Sequence, residues 1–454
     1  MALLPYIAIG ITGVTGYLLV KRYQTHMVLL LSGLFMVALA VLFGVTNILP
    51  GKMPSSGLVW FDIIDLLRSI ATRQSSGIGF LIMVAGGFAA YMSQIGASDV
   101  LVRISSRPLK AFHQPYLVLS LAYLLGQFLV TVIPSAAGLA MLLLVVVFPM
   151  LTAVGVSPAS AAAVIGTSAG MTLGPASGTA ILAAKVAQIE PIIYFVKYQL
   201  PVAIPTLIAV AVMHFFVQRH YDLKGGDIYE TPKEVKVQEL KDAPLWYALF
   251  PLLPIVLLIV FSRLVHETIR LDTVSALLLV WVFAVVSELV RWRDPKKVFA
   301  DAMTLFKSMG TMFATIVSLI IAAEMFAAGL KTTGLISLLI DSARTAGFGM
   351  SGMTMVLTAI VGAVTLLTGS GVGAYSSFAT LAPTVASGLG GSIEALVTPM
   401  QFGSGMFRAM SPVAGVIIAV AGAAGISPIA VVRRTMLPMG VGIVVMVSAS
   451  FLFL

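Results

Sequence analysis

The chain states its layout twice. Phe88-Ala89-Ala90, followed by Gly96, returns as Phe326-Ala327-Ala328 followed by Gly334, an offset of 238 residues (326 minus 88). Further on, Pro134-Ser135-Ala136-Ala137-Gly138, Phe148-Pro149 and Ser177 line up with Gly369-Ser370-Gly371-Val372-Gly373, Ala382-Pro383 and Ser411, and the offset at the second of these pairs is 234 (383 minus 149). Chance likeness between apolar segments explains any one block, but not three in order at a nearly constant spacing. A duplicated apolar chain with Gly, Ser and Pro interruptions at matching places is the sequence mark of a secondary transporter, whose site lies where the repeats meet.

Composition fixes the solvent. Of 454 residues 59% are hydrophobic and 10% charged, with mean hydropathy +1.05, whereas soluble domains carry about 25% charged residues. Apolar runs such as Ile7–Val20, Met27–Leu49, Gly77–Ile95, Tyr116–Val132, Val202–Val217 and Met436–Leu454 are bounded by charge, Pro or Gly. At about 20 residues per crossing they supply roughly ten to twelve helical spans, several of them interrupted. The first run is expected to remain as a span, since no basic segment precedes it and no small-residue cleavage site follows. The net charge of +9 comes from Lys and Arg at helix ends, among them Lys21-Arg22, Arg291, Arg293 and Arg433-Arg434, which is the flanking pattern of a bilayer protein and not a nucleic-acid surface. Cysteine is absent and the five histidines are scattered. Thiolate sites are excluded, no metal-ligand spacing emerges, and an acid–base–metal cluster for an enzyme is not in view.

The chain divides into a first repeat (1–218), an exposed connector (219–244) and a second repeat (245–454). Arg219 to Asp242 holds eleven of the 45 charged residues, with Gly225-Gly226 and Pro232, which marks the connector. Ahead of each Phe-Ala-Ala block lies an amphipathic segment, Trp60 to Arg68 and Val298 to Lys307. Trp60, Ile63, Ile64 and Leu67 fall on one helical face, with Asp62 and Asp65 on another. Such segments serve as arms between a scaffold and a moving unit, or as plain membrane-surface anchors.

No charged residue stands between Lys110 and Lys185, yet the stretch holds Gly166-Thr167-Ser168, Thr172 and Gly174-Pro175-Ala176-Ser177. The second half answers with Thr368-Gly369-Ser370-Gly371, Gly403-Ser404-Gly405 and Ser411-Pro412. Gly and Pro break helices and free backbone N–H groups, which a membrane tolerates only inside protein or beside a wet cavity. A half-helix N-terminus carries about half a positive charge and holds a carboxylate without a basic side chain. Small residues also serve close helix packing, which is the better reading of most single glycines.

Arg408 is the sharpest single residue. Between Arg344 and Arg433 only Glu394 and Arg408 are charged. A guanidinium at depth costs at least about 2.5 kcal/mol on insertion scales and asks for a partner: a substrate carboxylate gripped by its planar fork, Glu394, or the interface. Glu324, amid apolar neighbours, is a candidate proton carrier, and Glu288 is expected to pair with Arg291. Lone His113 and His214 are expected to satisfy local hydrogen bonds.

These motifs resemble the DcuC-type anaerobic four-carbon dicarboxylate carriers: Gly86-Gly87-Phe88-Ala89-Ala90-Tyr91-Met92, Ser135-Ala136-Ala137-Gly138, Thr368-Gly369-Ser370-Gly371, Arg408-Ala409-Met410-Ser411-Pro412-Val413 and Ser427-Pro428 with Arg433-Arg434-Thr435. The resemblance implies the ion-transporter-superfamily fold: an all-α polytopic membrane protein of two inverted repeats with re-entrant hairpins and interrupted helices, moving as an elevator and dimerising. It also implies a bacterial inner-membrane carrier of succinate, fumarate or malate. Where the family pattern has Asn and Pro after Gly-Ser-Gly, this chain has Val372-Gly373-Ala374-Tyr375, which removes an amide donor for a carboxylate or an ion; the lone arginine keeps a gluconate-type permease of the same superfamily open as the alternative. The expected anion-binding residues are Ser135, Ala136, Gly138, Ser177, Gly369, Ser370, Gly371, Arg408, Ser411 and Pro412. Glu324 and Thr172 are the candidates for a coupling H+ or Na+. No cofactor, metal or nucleic-acid partner is expected beyond the anion, the bilayer and a second copy of the chain.

Overall fold

A computed structural model describes residues 3–21, 23–50, 53–112, 114–225, 241–261, 271–345 and 349–454. Among these every regular element is helical. Eight helices are long and apolar enough to cross a membrane, and four shorter apolar ones accompany them. The expected His113 and most of the expected connector lie outside the described residues. Helix Leu200–Lys224 carries through Arg219, so the connector's first residues are helical.

The two halves run through a similar order of elements. The first arm, Val59–Gln74, passes through a π-helical turn at Ser75–Gly79 into an inner helix, Phe80–Gln94, which ends at left-handed Gly96 (φ +79°) before the short helix Ala97–Ser106. The second arm, Pro295–Met312, does the same through Phe313–Val317, the inner helix Ser318–Thr332, Gly334 (φ +77°) and the helix Leu335–Thr345. Both glycines hold a backbone conformation that L side chains rarely adopt, which explains their recurrence at one spacing. After Pro115–Val130 and after Met350–Thr368 the chain reverses at a serine into the tip helices Ala136–Ala153 and Gly371–Ala379. The second hairpin is interrupted and resumes at Ala382–Leu389, where Pro383 stands; its counterpart Pro149 is absorbed inside the first tip helix. Each half then has a broken helix, Pro158–Thr167 with Gly178–Val186 and Glu394–Arg408 with Gly415–Ala424, followed by a long closing helix, Leu200–Lys224 or Pro428–Phe453.

The arms are amphipathic as expected, but the first is turned differently. It buries Asp62, Ile63, Leu66 and Ile70 and leaves Trp60, Phe61 and Ile64 exposed. Asp62 faces inward because Ser55 Oγ (2.6 Å) and the N–H and Oγ of Ser56 (2.7 Å each) donate to its carboxylate; paired polar groups tolerate burial. Exposed aromatic and aliphatic side chains on such a helix are what lipid contact requires.

Small residues let the halves interpenetrate. The inner helix Ser318–Thr332 lies along Thr25–Leu42, where a Cβ on Gly33 would stand 2.5 Å from the Met325 carbonyl. The inner helix Phe80–Gln94 lies along the second arm, with Gly87 similarly close to the Leu305 carbonyl at 2.7 Å. Without a hydrophobic drive between helices in lipid, this close van der Waals fit supplies the association. The two closing helices also pack together, and Arg434, read from sequence as a flanking charge, is buried there. Its Nη1 pairs with Asp222 at 2.7 Å, with side chains 2% and 8% exposed. Asp222 further accepts from Ser157 Oγ (2.6 Å) and Ser160 Oγ (2.8 Å) at the start of Pro158–Thr167. Glu288 pairs with Arg291 at 3.2 Å as expected, and His214 meets Thr167 Oγ1 (3.0 Å) and Gln218 (3.2 Å).

Candidate functional site

The two hairpin reversals have one local chemistry. Ser135 sits in extended conformation (φ −114°, ψ 105°) and its Oγ accepts the Gly138 N–H at 3.2 Å. Ser370 (φ −109°, ψ 92°) accepts the Gly373 N–H at 3.2 Å. Serine is a preferred N-cap because its side chain satisfies one of the N–H groups a helix start leaves unpaired. The N–H groups that a helix start leaves without an intrahelical partner are the donors an anion can meet, where space beside them allows it.

The first broken helix is held open by buried amides. Between its segments Thr172 adopts φ +47° and Gly174 φ +104°, and a Cβ on Gly174 would stand 2.7 Å from the Thr131 backbone. Gly174 N–H donates to Gln199 Oε1 (3.2 Å), Gln199 Nε2 to Gln401 Oε1 (2.9 Å), and Gln401 Nε2 to the Thr172 carbonyl (3.1 Å). Tyr194 Oη adds a bond to Gln401 Oε1 at 2.9 Å. Unwound backbone at membrane depth needs such partners. Gln199 and Gln401 escaped the sequence reading; amides inside otherwise apolar helices were the available signal.

A cavity of about 390 Å³ opens where the halves meet. Of the expected residues, Ser135, Ala136, Gly138, Ser177, Thr172 and Arg408 line it. Arg408, the last residue of its helix and half-buried, donates from Nη2 to the Ala169 carbonyl at 2.8 Å, across from one half to the other. Glu394 begins the same helix, roughly 21 Å away at 1.5 Å per residue, so it is no partner. The walls also hold polar residues that sequence reading missed: Ser93, Ser98, Thr179 and Ser308. Thr179 Oγ1 donates to Thr172 Oγ1 (3.1 Å) and lies 3.2 Å from Ser177 Oγ, just where the helix Gly178–Val186 begins. Among the lining residues Arg408 is the single charge and no carboxylate faces it. One guanidinium, a set of neutral hydroxyls and two helix N-termini form a surface suited to an organic anion.

The model of the family described as DcuC, C4-dicarboxylate anaerobic carrier, matches residues 5–453. The chain belongs to the DcuC family. It is 34% identical over 441 residues to the anaerobic C4-dicarboxylate transporter DcuC of Escherichia coli K12, covering 97% of this chain and 94% of that protein. It is 33% identical over 447 residues to the probable counterpart in Vibrio cholerae, covering 98% and 96%. Two solved structures share the DcuC-family chain's fold. The crystal structure of the Alcanivorax borkumensis YdaH transporter superposes with TM-score 0.66 at 14% identity, covering 95% of this chain and 98% of that one. Neisseria gonorrhoeae MtrF, from a class described as antimetabolite efflux pumps, gives 0.61 at 11% identity, covering 95% of each. With bacterial relatives named as transporters and eight candidate spans, this is a multi-pass carrier of the bacterial inner membrane and not an enzyme.

The other expected residues of the DcuC-family chain lie elsewhere. Ser370 borders a separate space of only about 10 Å³. Gly371 presses on the second broken helix, where an added Cβ would stand 2.5 Å from the Ser404 carbonyl, and Gly369 (φ +73°) abuts Ala414. Ser411 is fully buried and donates to the Leu366 carbonyl at 2.7 Å, and neither it nor Pro412 lines the cavity. Glu324 is bonded by Arg73 and Gln74 at the end of the first arm, away from that cavity. From the second hairpin only Val372 reaches the cavity wall.

Proposed function

We propose that this chain moves C4-dicarboxylates such as succinate, fumarate or malate by secondary transport, through an elevator-type exchange of access between two inverted repeats spanning 1–218 and 245–454. The observation that carries the reading is Arg408, a cation from the second half with no ion-pair partner among the described residues, set into a cavity walled largely by the first. In this reading Arg408 binds one carboxylate, and Ser135, Ala136 and Gly138 at the first tip bind the other. Ser177, with Thr172 and Thr179, supplies neutral donors between them. Gly369, Ser370, Gly371, Ser411 and Pro412 are the matching set of the second half, packed shut here and reaching the anion only after the core has moved.

The test is counterflow of labelled succinate in proteoliposomes. Saturable uptake by the wild type and its loss in Arg408→Ala, with an unchanged elution profile in detergent, is the expected result; full activity of that variant refutes the site. One observation favours a second reading: a single cation in the cavity suits a monocarboxylate as well as a dicarboxylate. Competition by gluconate stronger than by succinate would select the gluconate-type alternative. For coupling, Thr172 faces the cavity and Glu324 does not, so Thr172 is the better placed of the two for a co-transported Na+. Imposed pH and Na+ gradients, applied separately, decide between H+ and Na+. A homodimer completes the proposal, tested by mass measurement in detergent.

A further inference from the structure

The cavity has a twin. Gly86, Ala89, Ala90, Ser93 and Ser98 of the first cavity correspond, at the 238-residue offset, to Glu324, Ala327, Ala328, Lys331 and Ile336, and all five of these line a second cavity of about 600 Å³. The arms repeat the relation. Met312 packs on Gly86 in one half, and its counterpart Gln74 bonds Glu324 in the other. The hairpins do not match. The first cavity meets its hairpin at the tip, around Ser135, whereas the second meets its own at Thr380, Leu381 and Thr384, some ten residues beyond Ser370. Ten residues of helix span roughly 15 Å.

The charges differ as well. The inner-helix wall of the first cavity is neutral, whereas that of the second bears Glu324 and Lys331 with Arg73 across from them. Glu324 is taken up by Arg73. Lys331 is exposed and has no ion-pair partner among the described residues. Each cavity thus carries one uncompensated cation, Arg408 in the first and Lys331 in the second.

We propose that the second cavity is the vestibule for a small carboxylate anion on the opposite face of the membrane, with Lys331 attracting the anion there. This rests on the inverted-repeat reading above, because inversion is what sends the twin to the other face. A shift of the mobile core by about 15 Å would bring the Ser370 tip to the second cavity, as the Ser135 tip now stands at the first. Lys331 acts by raising the local anion concentration at a wet, charged concavity, so its removal weakens capture from one side only.

The chain's lack of cysteine makes the test direct. Ala90→Cys and Ala328→Cys, placed singly, are exposed to a membrane-impermeant maleimide in right-side-out and inside-out vesicles. Labelling of the two from opposite faces is the expected result. Labelling of both from one face, or none at Ala328→Cys, overturns the proposal. In the same vesicles Lys331→Gln should raise the KM for succinate about five-fold or more in the orientation that exposes Ala328→Cys, with Lys331→Arg restoring it. An equal change in both orientations, or none, refutes the role of Lys331. Should the wild type show no succinate counterflow, the transport reading fails, while the labelling still decides where the second cavity opens.

Discussion

The two hairpin tips share a cap and differ in everything around it. Ser135 and Ser370 each hold the N–H three residues on at 3.2 Å. Gly138 is nevertheless exposed beside a 390 Å³ cavity, whereas Gly373 is buried beside a 10 Å³ gap. The clearest contrast is one position along. Ala136 occupies the place of Gly371, and alanine fits because the first tip stands clear, whereas the second tip lies against the Ser404 carbonyl. Identical local chemistry therefore yields an open tip and a shut one, and packing decides which.

The largest effect expected on this asymmetry comes from the anchor of the first half's broken helix. Arg434→Ala leaves Asp222 buried without its cation, a loss of about 3–5 kcal/mol, seen as a fall in the thermal midpoint. Asp222 also holds Ser157 and Ser160, so succinate should protect this variant less than the wild type. Equal protection would show that the anchor does not position the open side.

Next in size is Gly371→Ala, which forces a Cβ to within 2.5 Å of a backbone oxygen that cannot rotate away. Overpacking of this kind costs about 1–3 kcal/mol. A normal thermal midpoint in that variant would break the claim that the second tip is shut. Loss of either cap by Ser135→Ala or Ser370→Ala should cost about 1 kcal/mol, but only the first should also raise the KM for succinate presented from the side on which the first cavity opens. If both raise it alike, both tips reach the anion in the dominant state. The smallest effect belongs to Ala136→Gly, which should lower the stability by less than about 1 kcal/mol and barely move the thermal midpoint, since nothing at the open tip depends on that methyl group.

Much of the fold was legible. Apolar runs, charged flanks and the doubled Phe-Ala-Ala, Ser-tip and Pro landmarks locate the helices, the breaks and their correspondence, because capping, proline and left-handed glycine act within a few residues of chain. Part of the candidate site was legible for the same reason: Ser135, Ser177 and Arg408, which line one cavity, announce themselves as a hairpin tip, a helix start and an isolated charge. Gln199 and Gln401 were not, since an amide reveals its role only when a distant backbone comes to it. Nor was the inward turn of Asp62, which depends on Ser55 and Ser56 folding back over the arm.

The sequence by itself determined a helical membrane protein with interruptions in both halves and one cation among them. Tertiary structure alone decided that Arg408 crosses to Ala169, that the first tip opens on a cavity while the second is pressed against Ser404, and that a second cavity repeats the first. Local signals specify where a helix starts and stops, but the space beside it is set by contacts between separate segments, 33 residues apart for Gly371 and Ser404 and 239 for Ala169 and Arg408, which leave no periodic trace in the chain.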